Sequence, residues 1–323
     1  MARGPRPSRF SQPYSAREAL LWILKNAAGP PPCRWSRLRS LPTDSLRHVI
    51  KPRLSLGFVG DILPLRKTVA SLDPAVRQFF AGVDYLIGNF EGTLVDDRRP
   101  WVFMGQPHDD AALALLRQLA APERTVLLCA NNHSLDYGVD AYRASVRQLR
   151  SRGYTVADHE WPCQRLVEGV SVVAGTAWSN QRRADFAPLA KIAADPPKAS
   201  PFRILCPHWG YELEHVPRRA QITDGDNWLR KWSLVVGHHS HTPQPIVERS
   251  CPDRHRVIAY SLGNFTFAYN LTHHRRGLVV RVDIGPGPDG GWDVGRLRWA
   301  RVESVFTSRH RVQIRLCQRF PSA

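Results

Sequence analysis

LSLGFVGDIL (residues 54–63) runs an apolar stretch straight into one carboxylate, Asp61. Leucine, phenylalanine and valine with no alternating polar partner describe a strand covered on both faces, as in sheets packed from two sides. The same grammar recurs four times. DYLIG leads into Asn89-Phe90-Glu91, TVLLCA into Asn131-Asn132-His133, RILC and one proline into His208-Trp209-Gly210, and SLVVG into His238-His239-Ser240-His241. In an open α/β sheet the carboxyl ends of the strands share an edge, so side chains scattered along the sequence converge in a crevice there. Taken singly, Gly60-Asp61 reads as a turn and Asn-Asn-His as a loop bonding its own backbone. His-His-Ser-His is stronger, because imidazole is the commonest metal ligand at neutral pH. The repetition of one pattern, rather than any one cluster, points to a shared metal site.

The strings GFVGDI, LIGNFEGTL, CANNHSLDYG, HWGYE, VVGHHSHTPQPI and YSLGNFTF, in this order, resemble the CapA family of capsule synthesis proteins, within the calcineurin-like metallophosphoesterase superfamily. The likeness spans about residues 54–285, and ANNHxxDYG and GHHxHxxQ are its specific parts. It implies a four-layer α/β/β/α sandwich, two stacked mixed sheets with flanking helices, and one or two divalent ions. By this resemblance Asp61, Glu91 and His241 hold the first ion, while Asn132, His208 and His239 join Glu91 on the second. His133 is then the general acid or a clamp on the substrate oxyanion. One departure stands out: where phosphoesterases of the superfamily commonly open with Asp-x-His, Asp61 is followed by Ile62 and Leu63. The CapA branch shares that simplified opening, which leaves the first ion one protein ligand short.

Carboxylate, amide oxygen and imidazole together suit Mn, Fe, Zn or Mg, and the lack of clustered thiolates argues against a structural zinc site. Two such ions activate water and stabilise the attacking and leaving oxygens of a displacement at phosphorus. The expected function is therefore a metal-dependent hydrolase acting on a phosphoester or on an anionic polymer such as poly-γ-glutamate. The alternative is a non-catalytic accessory protein that grips such a polymer during its synthesis or export. Around the clusters, Asp136 reads as the N-cap of a following helix. Glu212 reads as an outer-shell partner of an imidazole or as solvated surface, and Asn264 as a turn or an outer-shell contact. His238 belongs with these outer residues, and Trp209 reads as packing over the site.

At 323 residues with 43% hydrophobic residues, the chain can bury one large core. Residues 54–285 read as the catalytic domain, and residues 286–323 as a β-rich extension packed on it. Strands near 54–59, 83–88, 124–129, 170–175, 202–206 and 233–237 alternate with helices near 73–81, 108–120, 138–152 and 224–232. After Tyr260 the pattern turns to strands separated by GPGPDGG. The net charge of +17 is uneven: residues 1–53 hold eleven Lys or Arg against two Asp or Glu. This Pro/Arg-rich leader reads as partly disordered, with one short helix in SAREALLWILKNAAG. Its apolar centre is far shorter than the roughly 20 residues a membrane span needs, and no signal peptide is evident. The expected location is cytoplasmic; the leader, with Trp22 and Trp35, reads either as a peripheral contact to anionic membrane or as a solvated flexible segment. No helix-turn-helix, zinc-finger or aromatic-glycine signature accompanies the charge, so nucleic acid is not the expected partner. Six scattered cysteines without a CxxC suit a reducing compartment, and Cys129 and Cys206 read as small buried residues at strand ends.

Overall fold

The computed structural model describes residues 14–29, 38–95, 102, 104–181, 187–250, 255–269 and 271–319. Trp35, Cys33, Cys251 and the first thirteen residues of the leader lie outside the described residues. Two large sheets form the frame. The larger has ten strands, eight of them in the order Val69–Leu72, Arg311–Cys317, Trp292–Ser308, Arg276–Pro286, Leu54–Ile62, Tyr85–Phe90, Thr125–Leu128 and Thr155–Ala157. Asp44–Leu46 pairs with the Trp292–Ser308 strand, and Asn264–Thr266 pairs with Leu54–Ile62. The second sheet has six strands in the order Ile246–Ser250, His255–Ala259, Leu234–Val236, Phe202–His208, Val170–Thr176 and Cys163–Val167.

Both sheets are mixed. In the larger, the four strands from Leu54–Ile62 to Thr155–Ala157 run parallel, whereas Arg276–Pro286 and its two successors are antiparallel. In the smaller, four central strands are parallel and the edges Cys163–Val167 and Ile246–Ser250 run against them. Six helices accompany them among the described residues: α1 Ala16–Ala28, α2 Pro74–Phe80, α3 Asp110–Leu116, α4 Val139–Ser151, α5 Leu189–Ala194 and α6 Arg219–Trp228.

Burial explains the layering. Leu56, Phe58, Ile87 and Val126 of the larger sheet share one core with Val172, Phe202, Ile204, Leu234 and Val257 of the smaller, so the sheets are stacked face to face. The other face of the larger sheet, through Val59, Leu86 and Leu127, packs on Val76 and Phe80 of α2, Leu113 and Leu116 of α3, and Val146 and Leu149 of α4. The outer face of the smaller sheet, through Val173, Leu205, Val235 and Ile258, packs on Leu189 and Ala193 of α5 and on Ile222 and Trp228 of α6. Helices, sheet, sheet and helices make the four layers, and strands buried on both faces account for the unbroken apolar runs.

The observed elements depart from expectation in informative places. The first two site strands run on to Ile62 and Phe90, past the expected ends near 59 and 88, so Asp61 is a strand residue rather than a turn residue and Asn89 also lies within its strand. The last helix before the histidine cluster begins at Arg219, directly after Pro217 and Arg218, rather than near 224. Gly225 looks like a helix breaker in sequence, yet a Cβ there would meet Ile258 Cδ1 at 2.8 Å, so it is the helix's point of closest approach to the sheet. The strands after Tyr260 lie within the larger sheet, where Trp292–Ser308 is paired on both sides. No helix among the described residues is long and apolar enough to cross a membrane.

Candidate metal centre

Five strand ends deliver the clusters to one place. The Leu54–Ile62 and Tyr85–Phe90 strands are in parallel register, with Asp61 beside Asn89, and Glu91 follows two residues after Asn89. Phe202–His208 ends on His208, which bridges to His238. In the smaller sheet the Leu234–Val236 strand opens into the His238–His241 turn. Asp61, Glu91, Asn132, His133, His208, His238, His239, His241 and Asn264 are all buried.

Two groups of ligand atoms result. Asp61, Glu91 and His241 form one and Glu91, His208 and His239 the other, each with its atoms within 4.8 Å of one another. Glu91 belongs to both. Its Oε1 has no hydrogen-bond partner, while His241 Nε2 stands 3.6 Å away and His208 Nε2 and His133 Nε2 each 3.9 Å away. These separations are too long for hydrogen bonds and match donors arranged around a cation held at about 2.0–2.2 Å. Asn132 Oδ1 lies 2.6 Å from His208 Nε2, which lies 3.1 Å from His239 Nδ1, so amide and imidazoles converge on one point. A buried carboxylate oxygen without a partner, inside a ring of nitrogens and one amide oxygen, fits a divalent cation.

The residues around this set fix its orientation. Asn89 Nδ2 donates to Asp61 Oδ1 at 2.8 Å, and His239 N donates to Asp61 Oδ2 at 3.1 Å. Asn264 Oδ1 lies 2.8 Å from His241 Nδ1, while its Nδ2 donates to His274 O at 2.8 Å, so it orients the His241 ring and is not a turn residue alone. His238 Nδ1 stands 3.3 Å from Asp61 Oδ1. His239 and His241 adopt φ values of 91° and 52°, a left-handed conformation that a non-glycine residue holds only when its surroundings enforce it.

Electrostatics separates the two carboxylates. Burial alone would raise Asp61, but the hydrogen bonds and charges of His238 and His241 outweigh it and hold the carboxyl well below its usual range. Glu91 is pushed up to about 8, first by burial and then against the attraction of His241. Burial drives His208 and His239 well below the ordinary imidazole value, which keeps them neutral and able to act as ligands. His241 is opposed by burial but raised to about 10 by the charge of Glu91 and the Asp61 hydrogen bond.

Asp136 corrects the sequence reading. Helix α4 is capped at Gly138 without any side-chain cap, and Asp136 Oδ2 lies instead 2.7 Å from His133 Nδ1. This bond turns His133 Nε2 toward Glu91, and the Asp136 charge, working against burial, raises the His133 pKa. Glu212 also falls elsewhere: its Oε2 accepts from Trp22 Nε1 of α1, and its backbone N donates to Tyr14 Oη at 3.0 Å. Trp22 thus faces the protein through its indole nitrogen. Trp209 is packing, its Nε1 donating to Tyr260 O and its ring tilted over Trp228. Cys129 and Cys206 are buried and unpaired, and burial pushes both thiols up, away from nucleophilic reactivity.

Two residues of the centre carry no sequence signal. Asn180 Oδ1 accepts from Asn132 Nδ2 at 3.2 Å, which fixes the amide so that its oxygen faces His208. Trp178 stands edge-on to the His239 ring at 4.5 Å between centroids and closes that side of the site.

The fold and site define a class: a two-sheet α/β protein with a buried cluster of carboxylates and imidazoles that could hold divalent cations. The family pattern described as "Bacterial capsule synthesis protein PGA_cap" matches residues 55–159 and 154–269, and the chain belongs to this family. It is 26% identical over 272 residues to PGA biosynthesis protein CapA of Bacillus subtilis (strain 168), covering 75% of this chain and 70% of that one. It is 23% identical over 274 residues to capsule biosynthesis protein CapA of Bacillus anthracis, covering 74% and 66% respectively. A crystal structure of a hypothetical protein from Thermus thermophilus superposes with a TM-score of 0.45 at 14% identity, covering 77% of this chain and 99% of that one.

Proposed function

We propose that the protein is a metal-dependent hydrolase of capsule or poly-γ-glutamate biosynthesis, acting on a phosphoester or on an amide link of an anionic polymer. One observation carries the proposal: Glu91 is shared by two buried ligand groups, and the His133–Asp136 pair stands directly against it. Asp61, Glu91 and His241 would hold one cation, and Glu91, Asn132, His208 and His239 the other. Manganese, iron, zinc or magnesium suits this donor set, and when bound it supplies Lewis acidity and an activated water.

The chain's own residues supply the rest. His133, with Nδ1 donating to Asp136, presents Nε2 to the centre, where it can give a proton to a leaving oxygen or nitrogen. Trp178 excludes water from the His239 side, and Asn180 keeps the Asn132 oxygen on the centre. A net charge of +17 raises the local concentration of polyanions around the molecule.

Ile62 and Leu63, apolar and buried, occupy the place of a second opening ligand and favour a second reading, an accessory protein that holds the polymer without cleaving it. Elemental mass spectrometry on the wild type and an Asp61→Ala, His208→Ala variant, followed by turnover assays on a phosphodiester and on poly-γ-glutamate, separates the two. Metal lost in the variant together with turnover by the wild type supports the hydrolase. Metal and polymer binding without turnover supports the accessory role, and a wild type that takes up no metal overturns both.

A further inference from the structure

Glu91 stands just beyond the end of its strand, where the sheet no longer sets its direction. The strand stops at Phe90, and Gly92, at φ 124°, turns the chain so sharply that a Cβ on it would meet Gln106 O at 2.1 Å. The carboxylate itself is loosely held: Oε1 has no hydrogen-bond partner, and Oε2 accepts a long bond of 3.4 Å from Asn89 Nδ2. Order comes from the main chain instead. Phe90 O accepts from Asn131 Nδ2 at 2.9 Å, Glu91 N donates to Ile62 O at 3.1 Å, and Glu91 O lies 2.9 Å from His108 Nε2. A carbonyl oxygen can only accept, so this Nε2 carries a proton and donates it. Side chains take over where the sheet ladder stops.

His108 is an unexpected residue for its surroundings. It is 1% exposed, and its ring stacks at 3.8 Å on Phe90, which belongs to the apolar layer between the larger sheet and α2, α3 and α4. With Nε2 donating, Nδ1 is a buried acceptor, and it has no partner. A side chain selected for packing alone would carry no such nitrogen. We propose that His108 is the positioning residue of the bridging carboxylate: its Nε2–H fixes the Glu91 main chain, so that one carboxylate is aimed at both cation positions before an ion binds. The inference rests on the reading of Glu91 as the ligand shared by two groups. The mounting of His108 suits the task. Its O accepts from Val95 N at 3.1 Å, Pro107–His108 pairs with Thr93–Leu94, and the next residue, Asp109, caps α3. A support pinned in this way orients a ligand with little loss of freedom. The same short segment reaches the other half of the site, where Gln106 N donates at 3.3 Å to Asp136 Oδ2, the oxygen that holds His133. That bond is made by backbone, so a substitution at His108 leaves it in place.

The test is calorimetric titration of the metal-free full chain with manganese and with zinc, comparing the wild type with His108→Phe, His108→Gln and His108→Asn. Phenylalanine keeps the stacked ring without the donor. Glutamine brings an amide N–H near the Nε2 position without the ring, and asparagine stops short of it. His108→Phe and His108→Asn are expected to bind both ions about 10–100-fold more weakly, with His108→Gln within about threefold of the wild type. A packing role predicts the opposite ranking, with phenylalanine the best substitute. The comparison of glutamine with asparagine stands even where the phenylalanine variant does not fold. Unchanged affinity in His108→Phe, or equal losses in His108→Gln and His108→Asn, overturns the proposal and leaves the metal centre standing. A wild type that takes up neither metal overturns the proposal together with the reading of that centre.

Discussion

Gly60 is where the two halves of the metal centre touch. It precedes Asp61, and a Cβ placed on it would meet Gly263 O at 2.0 Å, Gly263 C at 2.9 Å and Leu262 O at 3.1 Å. All three obstacles are backbone, and they belong to the segment that carries Asn264. Asp61 N donates to Gly263 O at 2.8 Å, so the same contact that forbids a side chain also joins the strand to the Asn264 loop. In Gly60→Ala the carbonyl must retreat by more than an ångström, which costs overpacking strain of about 1–3 kcal/mol and breaks a buried backbone bond worth about another 1–3 kcal/mol. The sum is about 2–6 kcal/mol, which in a domain of this size lowers the melting temperature by roughly 3–9 °C. Because Asn264 supports His241 and Asp61 moves with the strand, the variant is also expected to lose metal affinity. Thermal melts with and without added manganese, together with metal content after dialysis, measure both effects. A Gly60→Ala protein that melts within about 1 °C of the wild type and retains its metal would show that the close approach of these two segments does not hold the centre together.

Other outcomes follow from single contacts. Glu91→Gln is expected to lower the affinity for both ions, whereas His239→Ala lowers it for one, and metal titration followed by calorimetry distinguishes two affected sites from one. Asp136→Asn removes the carboxylate that orients His133; on the proposed function it lowers kcat by about 10²–10⁴-fold while metal content stays that of the wild type. His159 sits between Ser134 Oγ, 2.7 Å from its Nε2, and Ala187 N, which donates to its Nδ1, and burial lowers its pKa from 6.5 to about 4. Between those values the unfolded chain binds more protons than the folded one, so this stabilisation is whole above pH 6.5 and is lost as pH falls to 4, by up to about 3 kcal/mol. In His159→Gln the urea midpoint should change less between pH 7 and pH 5 than in the wild type; an identical change in both proteins would remove His159 from the account.

The legible part of this protein is the part written along single strands. An apolar run buried on both faces is visible in one dimension, and a ligand-type residue at its end is too, so the Asp61, Glu91, Asn132, His208 and His239–His241 clusters could be named from sequence. Element boundaries were less legible at Asp61 and Asn89, because in the structure pairing with Asn264–Thr266 and with the neighbouring strand carries the ladder past the apolar runs, at Asp61 onto a residue that alone resembles a turn. Asp136 was misjudged for a related reason. An aspartate just before a helix has two uses, and only the 2.7 Å approach of His133 shows that the imidazole takes it while a glycine ends the turn.

What sequence could not supply is contact across long separations. Asn180 meets Asn132 from 48 residues away, and Trp22 meets Glu212 from 190 residues away. Neither residue type in its local setting differs from a solvated asparagine or a core tryptophan. The same reason hid the orientation of α1: its periodicity marks one apolar and one polar face, and the usual inference puts the apolar face inward. Here the inward face is chosen instead by Arg218, Glu212, Glu214 and His274, partners that wait on the loops beside the metal centre and outbid the aliphatic stripe for the protein surface. A helix whose polar contacts fix its orientation keeps its apolar residues, Leu20, Leu21, Ile23 and Leu24, exposed.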